Sequence, residues 1–152
     1  MMPEILVRPG VLILLSLAIY LGIRAGWRFT EVRRRHVLAA EPPHTMLASD
    51  MASRVVSPSH VRILAFSSAD CPQCHRLQAP ALQRVLEARG LTVAVVEVDA
   101  STSPELTQHY RVLTVPTTVV LDAMGHAHAV NYGFATTQRL IEQVDEVLAL
   151  HA

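Results

Sequence analysis

The only two cysteines of the chain stand three residues apart, in Asp70-Cys71-Pro72-Gln73-Cys74-His75, and the sequence changes period across them. Before them Val61–Ser67 (VRILAFS) is a short apolar run of strand type. After them His75–Arg89 carries Leu77, Leu82, Val85 and Leu86 at helical spacing. Cys71 is therefore expected at a helix N-terminus, where free N–H groups and the helix dipole favour an anion. Its thiol is expected to fall from about 8.5 toward or below about 7, and the thiolate is the nucleophile of thiol–disulfide exchange. Pro72 suits the first helical position, whose N–H has no intrahelical partner. Cys74 lies one turn further on, can reach back to close a disulfide, and is expected to be the more buried and less acidic thiol.

The rest of the second half alternates in the same way. Gly90 is placed to end the first helix as a C-cap, and Leu91–Val98 is a Val-dominated buried strand. Ser103-Pro104-Glu105 opens a helix to about Tyr110, with Ser103 as N-cap and Pro104 at N1. Thr117–Leu121 is a third strand, Ala123-Met124-Gly125 a turn and His126–Tyr132 a fourth strand. Thr136–Leu150 is an amphipathic helix with Leu140, Ile141, Val144, Val147 and Leu148 on one face. The order β-α-β-α-β-β-α predicts an α/β domain with a central mixed four-stranded sheet flanked by helices. Pro116 just precedes the third strand, a position proline tolerates. A cis bond there would turn the chain sharply and leave backbone groups facing the cysteine pair.

With these pieces in view, residues from about 60 to 150 resemble the thioredoxin family. The resemblance rests on strand–Cys71-x-x-Cys74–helix, Tyr110 through Val115-Pro116-Thr117, the turn Asp122-Ala123-Met124-Gly125, and Tyr132-Gly133 before the last helix. It implies a thioredoxin-like fold and a thiol–disulfide oxidoreductase, more a reductase than an oxidant. Cys71 and Cys74 would be catalytic, with Asp70, Pro72, Gln73 and His75 supporting them. Val115, cis Pro116 and Thr117 would bind substrate. The resemblance implies no metal and no organic cofactor beyond the redox-active cysteine pair, a protein disulfide or dithiol as substrate, and a redox partner for recycling. The chain departs from small thioredoxins at Asp70, where they carry Trp, and at Ala65, where they carry a buried Asp. The dipeptide between the cysteines is Pro-Gln, and Pro80 lies one residue further along the helix. Asp70 would raise the Cys71 thiol and a protonated His75 would lower it.

The N-terminal part is of another kind. Val11 to Ile23 reads VLILLSLAIYLGI without a charge. That is about 20 Å of helix, short of the roughly 30 Å hydrocarbon core, but extension over residues 5–27 suffices. Arg8 and Arg24 can snorkel from its ends, and Tyr20 and Trp27 suit the interface. Residues 1–35 are thus read as a membrane anchor with a basic flank, 36–60 as a linker with a possible turn at Thr45–Arg54, and 61–152 as the thioredoxin-like domain. A cleaved signal peptide and a buried or partner-binding helix are the competing readings of the apolar run. One Arg precedes it, and Arg24, Arg28, Arg33, Arg34 and Arg35 follow. The positive-inside rule then places the catalytic domain on the cytoplasmic face of a single-pass cell-membrane protein.

The charge balance fits this division. Residues 1–57 carry seven Arg against four acids and residues 58–152 six against nine, for a net charge of zero. That argues against a nucleic-acid binder. Other readings of the cysteines remain. Cys71-x-x-Cys74-His75 matches a c-type haem attachment pattern, with Met124 as a conceivable axial ligand. A zinc site would need a fourth ligand beyond the two cysteines and His75. The fold could instead be a binding module with inert cysteines, or an outward-facing accessory factor for cytochrome c or copper-site maturation. His109, His126 and His128 read as surface residues, and His36, His44 and His60 fall in the linker.

Overall fold

The computed structural model describes residues 4–39 and 61–150, so most of the 36–60 linker, including the Thr45–Arg54 turn, lies outside the described residues. The chain divides into two compact units, Met1–Arg35 and His36–Ala152.

The first unit is one helix, α1 (Glu4–Leu38), whose last three residues belong to the second unit. The helix runs past the linker boundary at 36 because nothing breaks it: Glu31 pairs with Arg35 at 3.2 Å and Arg34 at 3.8 Å, and the next proline is Pro42. Val11, Leu12, Ile13, Leu14 and Leu15 are consecutive and each about half or more exposed, so apolar surface runs all round the helix instead of along one stripe. The most apolar stretch within Val11–Leu38 has mean hydropathy 1.5 with none of it buried. This helix is long and apolar enough to cross a membrane, a property it shares with signal sequences.

The second unit is built on a four-stranded mixed sheet of order β2-β1-β3-β4. Its strands are β1 (Val61–Ser67), β2 (Val93–Asp99), β3 (Thr117–Asp122) and β4 (Ala127–Tyr132). β1 pairs parallel with β2 and antiparallel with β3, and β3 pairs antiparallel with β4. The central strands are covered on both faces: β1 reads as a nearly continuous apolar run, and β3 is buried along its whole length. On one face Val61, Ile63 and Ala65 of β1 and Val93 of β2 pack against Leu82 and Val85 of α2 (Ala79–Arg89) and Leu140, Val144 and Val147 of α4 (Thr137–Leu150). On the other, Leu64, Phe66, Val119 and Leu121 meet Val37 from the end of α1 and Tyr110, which follows α3 (Pro104–His109). The fold class is therefore α/β and thioredoxin-like, with an N-terminal apolar helix.

Some elements differ locally from expectation. The chain between Cys74 and Gln78 forms a π turn instead of starting an α-helix. A π turn takes up one residue more than the 3.6 repeat allows for, so the phase slips. Leu77 is 45 % exposed and Gln78 is turned inward at 3 %, the reverse of the apolar spacing. Leu91 lies in a 3-10 turn before β2. Ser103 precedes α3 without a side-chain cap; Thr107 N–H bonds its carbonyl instead. His109 is half-buried: its ring packs edge-on to Tyr110 at 4.7 Å and its Nε2 is buried. Gly90 does end α2, at φ +54°, a backbone region in which glycine carries no steric penalty.

Candidate active site

β1 delivers the chain to the site and α2 carries it away. After Ser67 the backbone turns through Ala69 and Asp70, and Cys71 N–H closes the turn on Ser68 O at 3.1 Å. Pro72 and Gln73 are helical and the π turn begins at Cys74. Cys71 and Cys74 are bonded to each other, with Cα atoms 5.3 Å apart. Cys71 is 8 % exposed and Cys74 4 %, and both are buried.

The helix start presents a donor to the outer sulfur. Cys74 N–H lies 3.1 Å from Cys71 Sγ and also bonds Cys71 O at 3.1 Å. A donor held on a sulfur favours its anion once the disulfide is reduced. Asp70, Pro72, Gln73 and His75 surround the pair as exposed residues. His75 Nε2 is fixed 3.1 Å from Ala69 O. A ring nitrogen facing a carbonyl carries the hydrogen, so Nε2 is the donor there.

The loop before β3 comes to the same place. The Val115–Pro116 peptide is cis, Pro116 is buried, and its carbonyl accepts the Gly133 N–H at 2.9 Å. Thr117 is fully buried and donates its hydroxyl to Thr114 O at 2.8 Å. It therefore supports the loop from within. Val115 is half-buried beside Pro116. Cys74, His75 and Pro116 line one cavity of about 50 Å³, together with Ala65, Gln78 and Glu97.

Gln78 and Glu97 were not among the expected site residues. Gln78 ties the cysteine turn to the segment before α4: its Oε1 accepts Ala135 N–H at 2.9 Å and its Nε2 donates to Ala135 O at 3.3 Å. Only the slipped phase of the π turn turns it inward, so the 3.6 repeat conceals it. Glu97 did carry a signal, as a carboxylate in phase with the core-facing Val93 and Val95 of β2.

Away from the cysteines, His126, exposed on the hairpin, and half-buried His128 converge on Asp122. Nδ1 of His126 is 3.3 Å and Nε2 of His128 3.0 Å from Asp122 Oδ2. Among the described residues no group of three or more His, Cys, Asp or Glu has the arrangement to hold a metal ion.

The family described as "TraF: F plasmid transfer operon protein" matches residues 58–144, more than half of the chain. No curated protein matches. Among solved structures, chloroplastic thioredoxin z is 26 % identical with a TM-score of 0.56, over 72 % of this chain and 95 % of that one. A thioredoxin variant from Halobacterium salinarum is 22 % identical with a TM-score of 0.54, over 70 % and 87 %. The dsbF protein of MTB is 18 % identical with a TM-score of 0.51, over 62 % and 84 %. The last two likenesses are of fold. Fold and cysteine pair together support thiol–disulfide oxidoreductase activity.

Proposed function

Because this chain belongs to the family of TraF, the F plasmid transfer operon protein, and has a thioredoxin-like fold, we propose that it is a membrane-tethered thiol–disulfide oxidoreductase that reduces protein disulfides. The observation that carries this reading is the disulfide at the helix start, with Cys74 N–H directed at Cys71 Sγ and Pro116 on the cavity behind it.

The reaction runs in two exchanges. In the reduced protein the Cys71 thiolate attacks one sulfur of the substrate disulfide. A Cys71–substrate bond forms, and the other substrate sulfur leaves as a thiolate and takes up a proton. The Cys74 thiolate then attacks Cys71 Sγ, closing Cys71–Cys74 and expelling the second substrate sulfur. The substrate gains two electrons and the cysteine pair loses them. The sulfur atoms suffice for these steps, and no metal or organic cofactor enters them. An external dithiol partner must return the electrons. Val115 and Pro116 form the wall against which an extended substrate segment would lie.

The tether is α1, spanning the membrane through residues 5–27. The excess of Arg after the apolar run supports a cytoplasmic catalytic domain, and that reducing compartment favours the dithiol form and the reductase direction. The test is dithiothreitol-driven reduction of insulin by the full-length protein in detergent micelles. Turnover is expected for the wild type and none for Cys71→Ser. Cys74→Ser is expected to accumulate a mixed disulfide through Cys71. A wild type no faster than Cys71→Ser would overturn the enzyme reading and favour a binding module with inert cysteines.

A further inference from the structure

Cys74 must lose its proton before it can attack, and a thiol enclosed by apolar groups resists ionisation. Cys74 is 4 % exposed, so direct contact with bulk water does not serve it. The cavity behind it does reach other groups. At about 50 Å³ it is large enough to admit water, and its lining includes Cys74 at one side and Glu97 at another.

Three observations place Glu97 for this task. Strand alternation puts it in phase with Val93 and Val95, on the sheet face that α2 covers. Its partner in register on β1 is Ala65, whose methyl group leaves the space between Glu97 and the cysteine turn open. Glu97 itself is exposed on an edge strand, and its carboxylate makes no hydrogen bond or ion pair with any described residue. One side chain therefore borders the cavity and also reaches solvent.

The neighbouring ionisable groups are otherwise occupied. His75 also lines the cavity, but its Nε2 is committed to Ala69 O, leaving only Nδ1. Asp99, two residues further along the same face of β2, is held by Ser101 through its hydroxyl at 2.6 Å and its N–H at 2.8 Å. Asp70 is exposed at the start of the turn and is not part of the cavity wall.

We infer that Glu97 is the proton acceptor for the resolving thiol Cys74, through water admitted to the cavity between them. The inference rests on the oxidoreductase reading above. The proton leaves Cys74 Sγ for the Glu97 carboxylate. The thiolate so formed attacks Cys71 Sγ, the Cys71–substrate bond breaks, and the departing substrate thiolate is protonated. Glu97 returns its proton to solvent. In the reverse direction protonated Glu97 reprotonates Cys74 as the internal disulfide opens.

The experiment separates the two exchanges. Reduced full-length protein in micelles is mixed rapidly with dithiobis(nitrobenzoate). The first equivalent of coloured thiolate reports attack by Cys71, and the second reports attack by Cys74 on the mixed disulfide. Glu97→Gln is expected to leave the first phase unchanged and to slow the second about tenfold or more near pH 7. The deficit should shrink as pH rises, where hydroxide ionises the thiol without help, and Glu97→Asp should recover part of the rate. A merely structural role would give a deficit independent of pH. A second phase in Glu97→Gln with the wild-type rate and pH profile overturns the inference while leaving the oxidoreductase reading intact. So does a second phase slowed by His75→Asn and not by Glu97→Gln. A wild type that shows no second phase overturns both.

Discussion

Asp122 shows how much one side chain organises in this domain. It is 4 % exposed, and it accepts the backbone N–H groups of Met124 at 2.8 Å and His126 at 2.9 Å in addition to the two imidazoles. Burial pushes its carboxyl up, but the bonds from His128, from the His126 and Met124 backbone and from the His126 ring outweigh that and hold it below the usual carboxylate range. A carboxyl lowered by folding contributes stability that is present above its unfolded value of about 3.9 and is lost as pH falls through the folded value. Asp99, lowered by its bonds to Ser101, and Asp145, lowered by Arg89, act with the same sign. Asp122→Asn is therefore expected to cost about 1 kcal/mol at pH 7, measured by urea unfolding. The gap from wild type should narrow as pH falls below the usual carboxylate range and through the lowered folded value. The turn itself was legible in Asp122-Ala123-Met124-Gly125. The convergence of the histidines was not, because it depends on a bulge. Val120 pairs with Ala129 and Leu121 with Ala127, so His128 is an extra residue on β4, and a bulge reverses the in–out phase that sequence alternation assumes.

At the scale of elements, the pattern of apolar residues located every strand and helix of the domain to within a few residues. The misplacements have one kind of cause, local departure from the regular repeat. The π turn at Cys74–Gln78 explains why Leu77 points outward and Gln78 inward. Gln78 then bonds both backbone groups of Ala135 from a buried site. Gln78→Ala would strand that N–H and carbonyl, so a loss of about 1–3 kcal/mol is expected. In a domain of this size that is a drop in Tm of roughly 4 °C or more, readable by circular dichroism. The cysteine pair itself needed no fold to be found. Its spacing at a strand-to-helix junction is a weak signal alone, since haem and zinc patterns share it, and Val115-Pro116-Thr117 far along the chain is what makes it a strong one. Glu97 was harder to see, because one carboxylate among valines reads as a solvated strand end until the neighbouring Ala65 and the cavity are known.

For the whole molecule, two units with different chemistry share one chain. About 20 Å of uncharged apolar helix over Val11–Ile23, exposed all round, cannot remain in water without a covering phase. The full-length protein is expected to sediment with membranes, to resist extraction by high salt or alkaline carbonate, and to be released by detergent. Extraction by salt alone would remove the tether. A reporter fused after Ala152 is expected to be active only in the cytoplasm, and activity only outside would reverse the orientation and the reductase direction with it. The central claim is the redox couple between Cys71 and Cys74. Its most direct test is equilibration of the full-length protein in micelles with graded dithiothreitol or glutathione buffers, counting free thiols by alkylation and mass. The account predicts a reversible two-electron couple near −270 mV, in the range of reducing thioredoxins, absent from Cys71→Ser and Cys74→Ser. A protein whose cysteines show no reversible two-electron exchange would contradict it.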